Sequence, residues 1–313
     1  MSTRDTIAVI GAGLMGPGIS ACSALAGHKT KLFSRSPEKA AAGLNKARYC
    51  IQQLLDNEIV NKSQAQGAND LLESSTDYKR ELGDVFWIIE AIAEDMTKKQ
   101  ELFAMIDTIV PPEVIITSNT SGLRITEIAK FTKHPERTAT THFWFPAHLV
   151  PLVEVVMGDK TDERIASRVK ELLLKWNKAP VIVKKDLPGQ LANRILQAMI
   201  REAIHIVQMG LATPEDVDTA VKMGMGIRMP VWGPLEHIEA VGLDLALSVQ
   251  NSVLPGICND LVPSTYLKEL VTTGKLGYKT GAGFYDWSAK DMKALTEKRD
   301  IFIMNALRLI RPR

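Results

Sequence analysis

Cysteine is scarce. The chain has three, Cys22, Cys50 and Cys258, an odd number with no CxxC or metal-type spacing. That pattern argues against a disulfide framework or a metal site and fits free thiols in a reducing cytoplasm. Excess charge is also missing. A total of 38 Lys and Arg against 36 Asp and Glu leaves a net charge of +2, which gives no reason to expect nucleic acid or a membrane surface as a partner. No apolar run approaches the roughly 20 residues of a membrane span. Internal repeats and low-complexity segments are absent as well. The amino terminus leads directly into a strand-like run, so no signal peptide is expected. What is present is ordinary: 313 residues, 45% hydrophobic and 24% charged, enough for one large domain or two smaller ones with ample core.

The most informative stretch runs from Thr141 to Val156. Glu154 interrupts the apolar run Leu152–Val156, which reads as a buried strand. A carboxylate in such a strand is costly unless something pairs with it. His142, at the end of the β-rich run 137–143, is the natural partner if the two strands are neighbours joined by the loop Pro146 to Pro151. A histidine held by a buried carboxylate has a fixed tautomer and serves well as a general base. The same pairing serves equally well as a purely structural contact, and the rest of the chain has to decide between them.

Thr6–Ile10 is a short β-rich run ending in Gly11-Ala12-Gly13-Leu14-Met15-Gly16, followed by a helix-like stretch to Ala26. This is G-x-G-x-x-G between a strand and a helix. Gly11 permits the tight turn, Gly13 lets backbone approach a pyrophosphate, and Gly16 lets helix pack on strand. A dinucleotide site is expected. The next strand, Lys29–Phe33, ends in Ser34-Arg35-Ser36, where NAD enzymes usually place an acid for the ribose 2′-hydroxyl. A guanidinium and two hydroxyls suit a 2′-phosphate, so NADP is favoured over NAD. Residues 37–72 read as helix-rich, 84–91 as a buried strand, 97–109 as a helix and 114–117 as a strand running into Ser118-Asn119-Thr120-Ser121-Gly122. After Val156 come a helix over 163–176 and a last strand, Ala179–Val183. Beyond Lys184–Gly189 the pattern turns helical, over 190–209, 214–222, 235–253 and 264–273. The fold expected is α/β: a Rossmann-type doubly wound sheet over residues 1–187 and an all-helical substrate and dimerisation domain over 188–313.

The assembled motifs resemble the 3-hydroxyacyl-CoA dehydrogenase family along nearly the whole chain. They are Gly11 to Gly16, Glu90-Ala91-Ile92-Ala93-Glu94, Ser118 to Ser121, His142 to Glu154, Lys185 to Gly189 with Asn193-Arg194, and Lys279-Thr280-Gly281-Ala282-Gly283-Phe284-Tyr285. The resemblance implies an NAD(P)-dependent oxidoreductase that moves a hydride between a C3 hydroxyl and nicotinamide; the all-helical second domain adds the expectation of a homodimer. It implies that His142 is the base, Glu154 its partner, and that Ser121 and Asn193 bond the reacting oxygen or its neighbour. Glu94, Lys99 and Lys279 match positions that help hold the cofactor, and each reads equally well as a solvated charge.

Two departures bear on the substrate. Family members acting on acyl-CoA usually carry His-Phe-Phe-Asn-Pro; here the run is His142-Phe143-Trp144-Phe145-Pro146, with an apolar ring in place of the asparagine. The segment Gly224 to Met229, with its spacing to Gly233-Pro234, looks more like relatives acting on free hydroxy acids, and Arg228 is then a candidate for a substrate carboxylate or else a helix-bridging residue. The substrate is therefore a short 3-hydroxyacyl-CoA or a free 3-hydroxy acid. His148 is a rival base, better placed for substrate contact. A second hypothesis, a dinucleotide-binding structural protein like the lens crystallin related to this family, has His142, Glu154, Ser121 and Asn193 together against it.

Overall fold

A strand buried on both faces needs apolar residues at nearly every position, and Thr6–Ile10 (TIAVI) meets that demand. In the computed structural model, which describes residues 5–310, Ile7 and Val9 enter one core cluster while Ala8 and Ile10 enter another. The clusters lie on opposite faces of one sheet, as the two-residue period of a strand requires. Residues 1–4, on which the expected lack of a signal peptide partly rests, lie outside the described residues.

The sheet has eight strands: β1 (Thr6–Ile10), β2 (Lys29–Phe33), β3 (Leu72–Ser75), β4 (Val85–Glu90), β5 (Ile115–Ser118), β6 (Thr138–Phe143), β7 (Leu152–Val156) and β8 (Ala179–Val183). Their order is β3-β2-β1-β4-β5-β6-β7-β8, and only β6 with β7 pairs antiparallel. The order reverses between β1 and β4, where open α/β sheets bind ligands beyond their carboxyl ends. Helices α1 (Gly16–Leu25), α2 (Pro37–Asp56), α3 (Lys62–Asp70), α4 (Tyr78–Glu81), α5 (Met96–Ile109), α6 (Ile125–Ile128) and α7 (Glu163–Lys175) complete this part. Ile19 and Cys22 of α1, with Ala166, Val169 and Leu173 of α7, cover one face. Phe103 and Ile106 of α5, with Ile125 and Ile128 of α6, cover the other. The result is the Rossmann-type doubly wound sheet.

The chain divides into two compact units, Met1–Asn193 and Arg194–Arg313. This division falls somewhat beyond residue 187 because α8 (Leu191–Gln208) starts within the first unit, where the Ala192 N–H bonds Glu154. In the second unit α8 is followed by α9 (Pro214–Ala220), a π-helical turn Val221–Gly226, α10 (Pro234–Val241), α11 (Leu243–Val253), α12 (Thr265–Thr272) and α13 (Met292–Ile310). Four features depart from the sequence pattern. The stretch 37–72 holds two helices and then β3, a polar edge strand. The helix expected over 214–222 ends at Ala220 and gives way to the π turn. The single helix expected over 235–253 breaks at Gly242, whose φ of 101° no helix accommodates. Helix α13 was not anticipated.

Candidate active site

His142 and Glu154 are direct partners in the β6–β7 ladder. Directly opposed residues of an antiparallel pair share a face, with Cβ atoms about 4.5–5.5 Å apart. His142 Nδ1 accordingly lies 2.7 Å from Glu154 Oε2, with the carboxylate fully buried. Two further donors complete the acid. The Trp144 indole N–H donates to Oε2 at 3.0 Å, and the Ala192 backbone N–H donates to Oε1 at 2.8 Å. Burial pushes the Glu154 carboxyl up, but the bonds from His142, Ala192 and Trp144 outweigh it and hold the group below its ordinary 4.5. The acid is ionised and anchored from three elements. With Nδ1 committed to it, Nε2 is the nitrogen left for a substrate proton.

The glycine turn has the shape a dinucleotide requires. Gly11 sits at φ 126°, and a Cβ there would lie 2.4 Å from the Ala91 carbonyl oxygen; one on Gly16 would lie 1.7 Å from that of Gly11. A Cβ on Gly13 would meet nothing within 4 Å, so open space faces that backbone. Helix α1 starts there with no side-chain cap and no acid in its first turn, leaving its N–H groups available to an anion. Ala12 and Met15 pack on the core, while Leu14 is exposed. These residues fit a pyrophosphate. At the end of β2 the geometry narrows the sequence reading: Ser34 is buried and Ser36 caps α2 by accepting from the Lys39 N–H, so Arg35 is the exposed member of the trio.

The loop after β5 is held by carboxylates. Glu94 Oε1 accepts from Thr120 Oγ1 at 2.6 Å and from the Ser121 and Gly122 N–H groups, each at 3.1 Å. Burial raises the Glu94 carboxyl, but the Thr120 hydroxyl, the Lys99 charge and the two backbone N–H groups bring it below 4.5. Lys99 corrects the sequence reading. It is only 1% exposed, so it is no solvated charge; its Nζ lies 2.6 Å from Glu90 and 3.4 Å from Glu94. Lys99 therefore holds two carboxylates beneath the loop. Ser118 Oγ donates to the other oxygen of Glu90.

Other bonds bring the predicted residues together. Asn193 Nδ2 donates to the Ser121 carbonyl at 3.3 Å, and Gln190 Nε2 donates to that of Thr120 at 3.0 Å. The Phe143 N–H, next to His142, donates to Asn119 Oδ1 at 2.8 Å. Sequence reasoning missed Glu90, Asn119, Trp144 and Gln190 as parts of this network. For Glu90 the signal was available: it is a lone acid in an apolar strand, like Glu154. His148 is not a second base beside the first, since its Nε2 meets Gln53 Oε1 of α2 at 2.7 Å. Arg228 and Lys279 are exposed residues of the second unit, one just after the π turn and the other in the turn Tyr278–Thr280.

Comparison with known proteins adds independent information. Residues 6–187 match the model described as 3-hydroxyacyl-CoA dehydrogenase, NAD binding domain, and residues 189–287 match the one described as 3-hydroxyacyl-CoA dehydrogenase, C-terminal domain. A probable 3-hydroxybutyryl-CoA dehydrogenase of Bacillus subtilis (strain 168) is 39% identical over 286 residues, 91% of this chain and 98% of the relative. A 5-formyl-3-hydroxy-2-methylpyridine 4-carboxylate 5-dehydrogenase of Mesorhizobium japonicum is 31% identical over 296 residues, 94% of each. A solved structure of an enzyme of that second kind, described as an NAD+ dependent dismutase, is similar with a TM-score of 0.91 at 29% identity, covering 99% of both chains.

Proposed function

Because this chain belongs to the 3-hydroxyacyl-CoA dehydrogenase family and is an NAD-dependent oxidoreductase, we propose that His142 is the base for oxidation of a secondary hydroxyl at C3 of its substrate. The observation that carries this is the 2.7 Å bond from His142 Nδ1 to a fully buried Glu154 carboxylate. When bound, the nicotinamide supplies the acceptor for the hydride that leaves C3. His142 Nε2 takes the hydroxyl proton as the C3–O bond becomes a carbonyl, and Glu154 stabilises the imidazolium that results. Ser121 and Asn193, adjacent in the first unit, bond the reacting oxygen or its neighbour. Glu94 serves the cofactor by fixing the loop Thr120–Gly122, with Lys99 acting through it. Replacing His142 by Asn is expected to lower kcat by about 10²–10⁴-fold with cofactor affinity unchanged. Turnover within a few-fold of wild type would reject the base.

Two substrate classes follow. A short 3-hydroxyacyl-CoA is supported by the Bacillus relative. A free hydroxy acid is supported by the apolar Phe145 and, as regards its carboxylate alone, by the likeness to the pyridine-carboxylate dehydrogenase, which extends past residue 287 where the family's C-terminal model ends. On the second reading Arg228 pairs with the substrate carboxylate. Saturation by thioesters but not by free acids would exclude that reading. For the cofactor, Arg35 favours NADP, so Arg35→Ala weakens NADP binding far more than NAD binding. Lys279 is a further candidate for the cofactor.

The second unit supports a homodimer. Its helices α9, α10 and α11 have no buried residue, and Leu243, Leu245, Leu247, Val249 and Val253 are each at least half exposed. Spaced mostly two apart, these side chains lie on opposite sides of α11, and a helix apolar on more than one side calls for cover, here from a second copy. Light scattering is expected to give twice the 34.5 kDa chain mass. No helix among the described residues is long and apolar enough to cross a membrane, and the three free thiols fit a cytoplasmic setting.

A further inference from the structure

We propose that Trp144 is a positioning residue for the dyad, its indole N–H sharing the Glu154 oxygen that faces His142 and weakening that oxygen's hold on the imidazolium. The inference rests on the reading of His142 as the base. It starts from a departure: where acyl-CoA relatives usually carry a second phenylalanine, which has no donor, this chain carries a tryptophan. That tryptophan is used. Its Nε1 lies 3.0 Å from Oε2, the oxygen that also meets His142 Nδ1 at 2.7 Å, and the two rings lie 5.6 Å apart at 52°. The other carboxylate oxygen is occupied by the Ala192 N–H at 2.8 Å. Three donors on two oxygens prevent the carboxylate from rotating, and two of them converge on the oxygen that matters.

The consequence follows from charge sharing. An oxygen that accepts a second N–H carries less density toward the first, so it stabilises a neighbouring positive charge less. The imidazolium formed when the hydroxyl proton moves to Nε2 is thus held less tightly. Removing the indole N–H reverses this. Trp144→Phe is expected to move the acid limb of the oxidation pH–rate profile upward by about half to one pH unit. It is also expected to move the His142 Nδ1 proton resonance further downfield, because its bond to Oε2 strengthens. Cofactor affinity is expected to be unchanged.

The test uses the full-length protein with NAD, with 3-hydroxybutyryl-CoA as the kinetic probe and the Nδ1 proton resonance, assigned by its loss in His142→Asn, as a readout that needs no substrate. Trp144→Leu is compared with Trp144→Phe. If the N–H is what counts, both move the resonance and the acid limb alike; if Trp144 only fills space, the leucine variant is impaired and the phenylalanine variant matches wild type. Site-specific benzothienylalanine, which keeps the shape and replaces N–H by sulfur, covers the case in which both substitutions disturb folding. An unmoved resonance in the sulfur isostere overturns the proposal. Turnover retained in His142→Asn would overturn the base itself, whereas an inactive His142→Asn beside a wild-type-like Trp144→Phe would overturn only the role of Trp144.

Discussion

Glu154→Gln isolates the charge of the dyad from its shape. Glutamine keeps the volume of a side chain that is fully buried and retains one acceptor oxygen. That oxygen can still accept from both His142 and Trp144, since both meet the same atom, at 2.7 and 3.0 Å. The new amide N–H₂ then faces the Ala192 N–H, leaving one donor conflict of about 1–3 kcal/mol. Relief of the desolvation of a buried carboxylate is of similar size, so the melting temperature should move little. Activity responds differently. With the charges of imidazolium and carboxylate about 4 Å apart and an effective dielectric constant of about 20, the lost attraction is about 4 kcal/mol, or roughly a thousandfold in rate. Steady-state kinetics should therefore show kcat falling by about 10³. A fluorescence titration should show cofactor affinity unchanged, because Glu154 belongs to neither the glycine turn nor the loop held by Glu94. A folded variant with kcat within tenfold of wild type would refute the reasoning, and so would a loss of cofactor affinity as large as the loss of rate.

Lys99→Met leaves Glu90 and Glu94 without the cation between them and should cost about 3–5 kcal/mol in urea unfolding. The double variant Lys99→Met with Glu90→Gln should recover much of that; no recovery would show that the cation is not compensating Glu90. Substituting Arg137, which pairs with Asp107 at 2.5 Å with both side chains nearly fully buried, should destabilise by a similar amount without changing kcat per folded molecule. Acid should unfold the protein through its held carboxyls. Glu94 and Glu154 lie below 4.5 and Asp107 below 3.8 when folded, so their contribution is present above those values and is lost as pH falls through the lower, folded ones. Urea midpoints measured against pH should fall below about pH 4.5; a flat curve there would contradict the assignment.

The sheet was readable because its strands are buried on both faces and therefore near-continuously apolar, as in VFWIIE and LVEVV. The dyad was readable for a related reason: one acid in such a strand demands a partner, and an antiparallel neighbour supplies it. The same reasoning applied to Glu90 calls for a cation, but a lysine on a helix is ordinarily solvated, so no sequence pattern singles out Lys99, one helix later. Strand β3 (LESS) escaped because only Leu72 is buried, so pairing with β2, not burial, makes it a strand. Trp144 escaped because its contribution is a single N–H, which no periodicity reports. The second unit was legible as helix and no further. Among the described residues its helices bury only Leu270, Asp300, Met304 and Leu307, so little packing fixes where each one ends, and breaks such as Gly242 depend on backbone angles that a hydrophobic pattern does not encode.

Two acids of one sheet, on β4 and β7 with two strands between them, use the same device for different ends. Glu154 and Glu90 each place a carboxylate in an apolar strand, a cost offset only when donors arrive from other elements. For Glu154 they come from β6, the residue after it and the start of α8; for Glu90 they come from β5, α5 and the Ile92 N–H just after β4. Asn119 joins the two sets, its side-chain oxygen accepting from the Phe143 N–H and its own N–H donating to the Glu90 carbonyl. Either carboxylate is therefore stable only in the arrangement that also sets the base and the loop beside it. The penalty for leaving a buried charge unpaired enforces the site's geometry, so the chain reaches a stable fold and a pre-organised site in the same step.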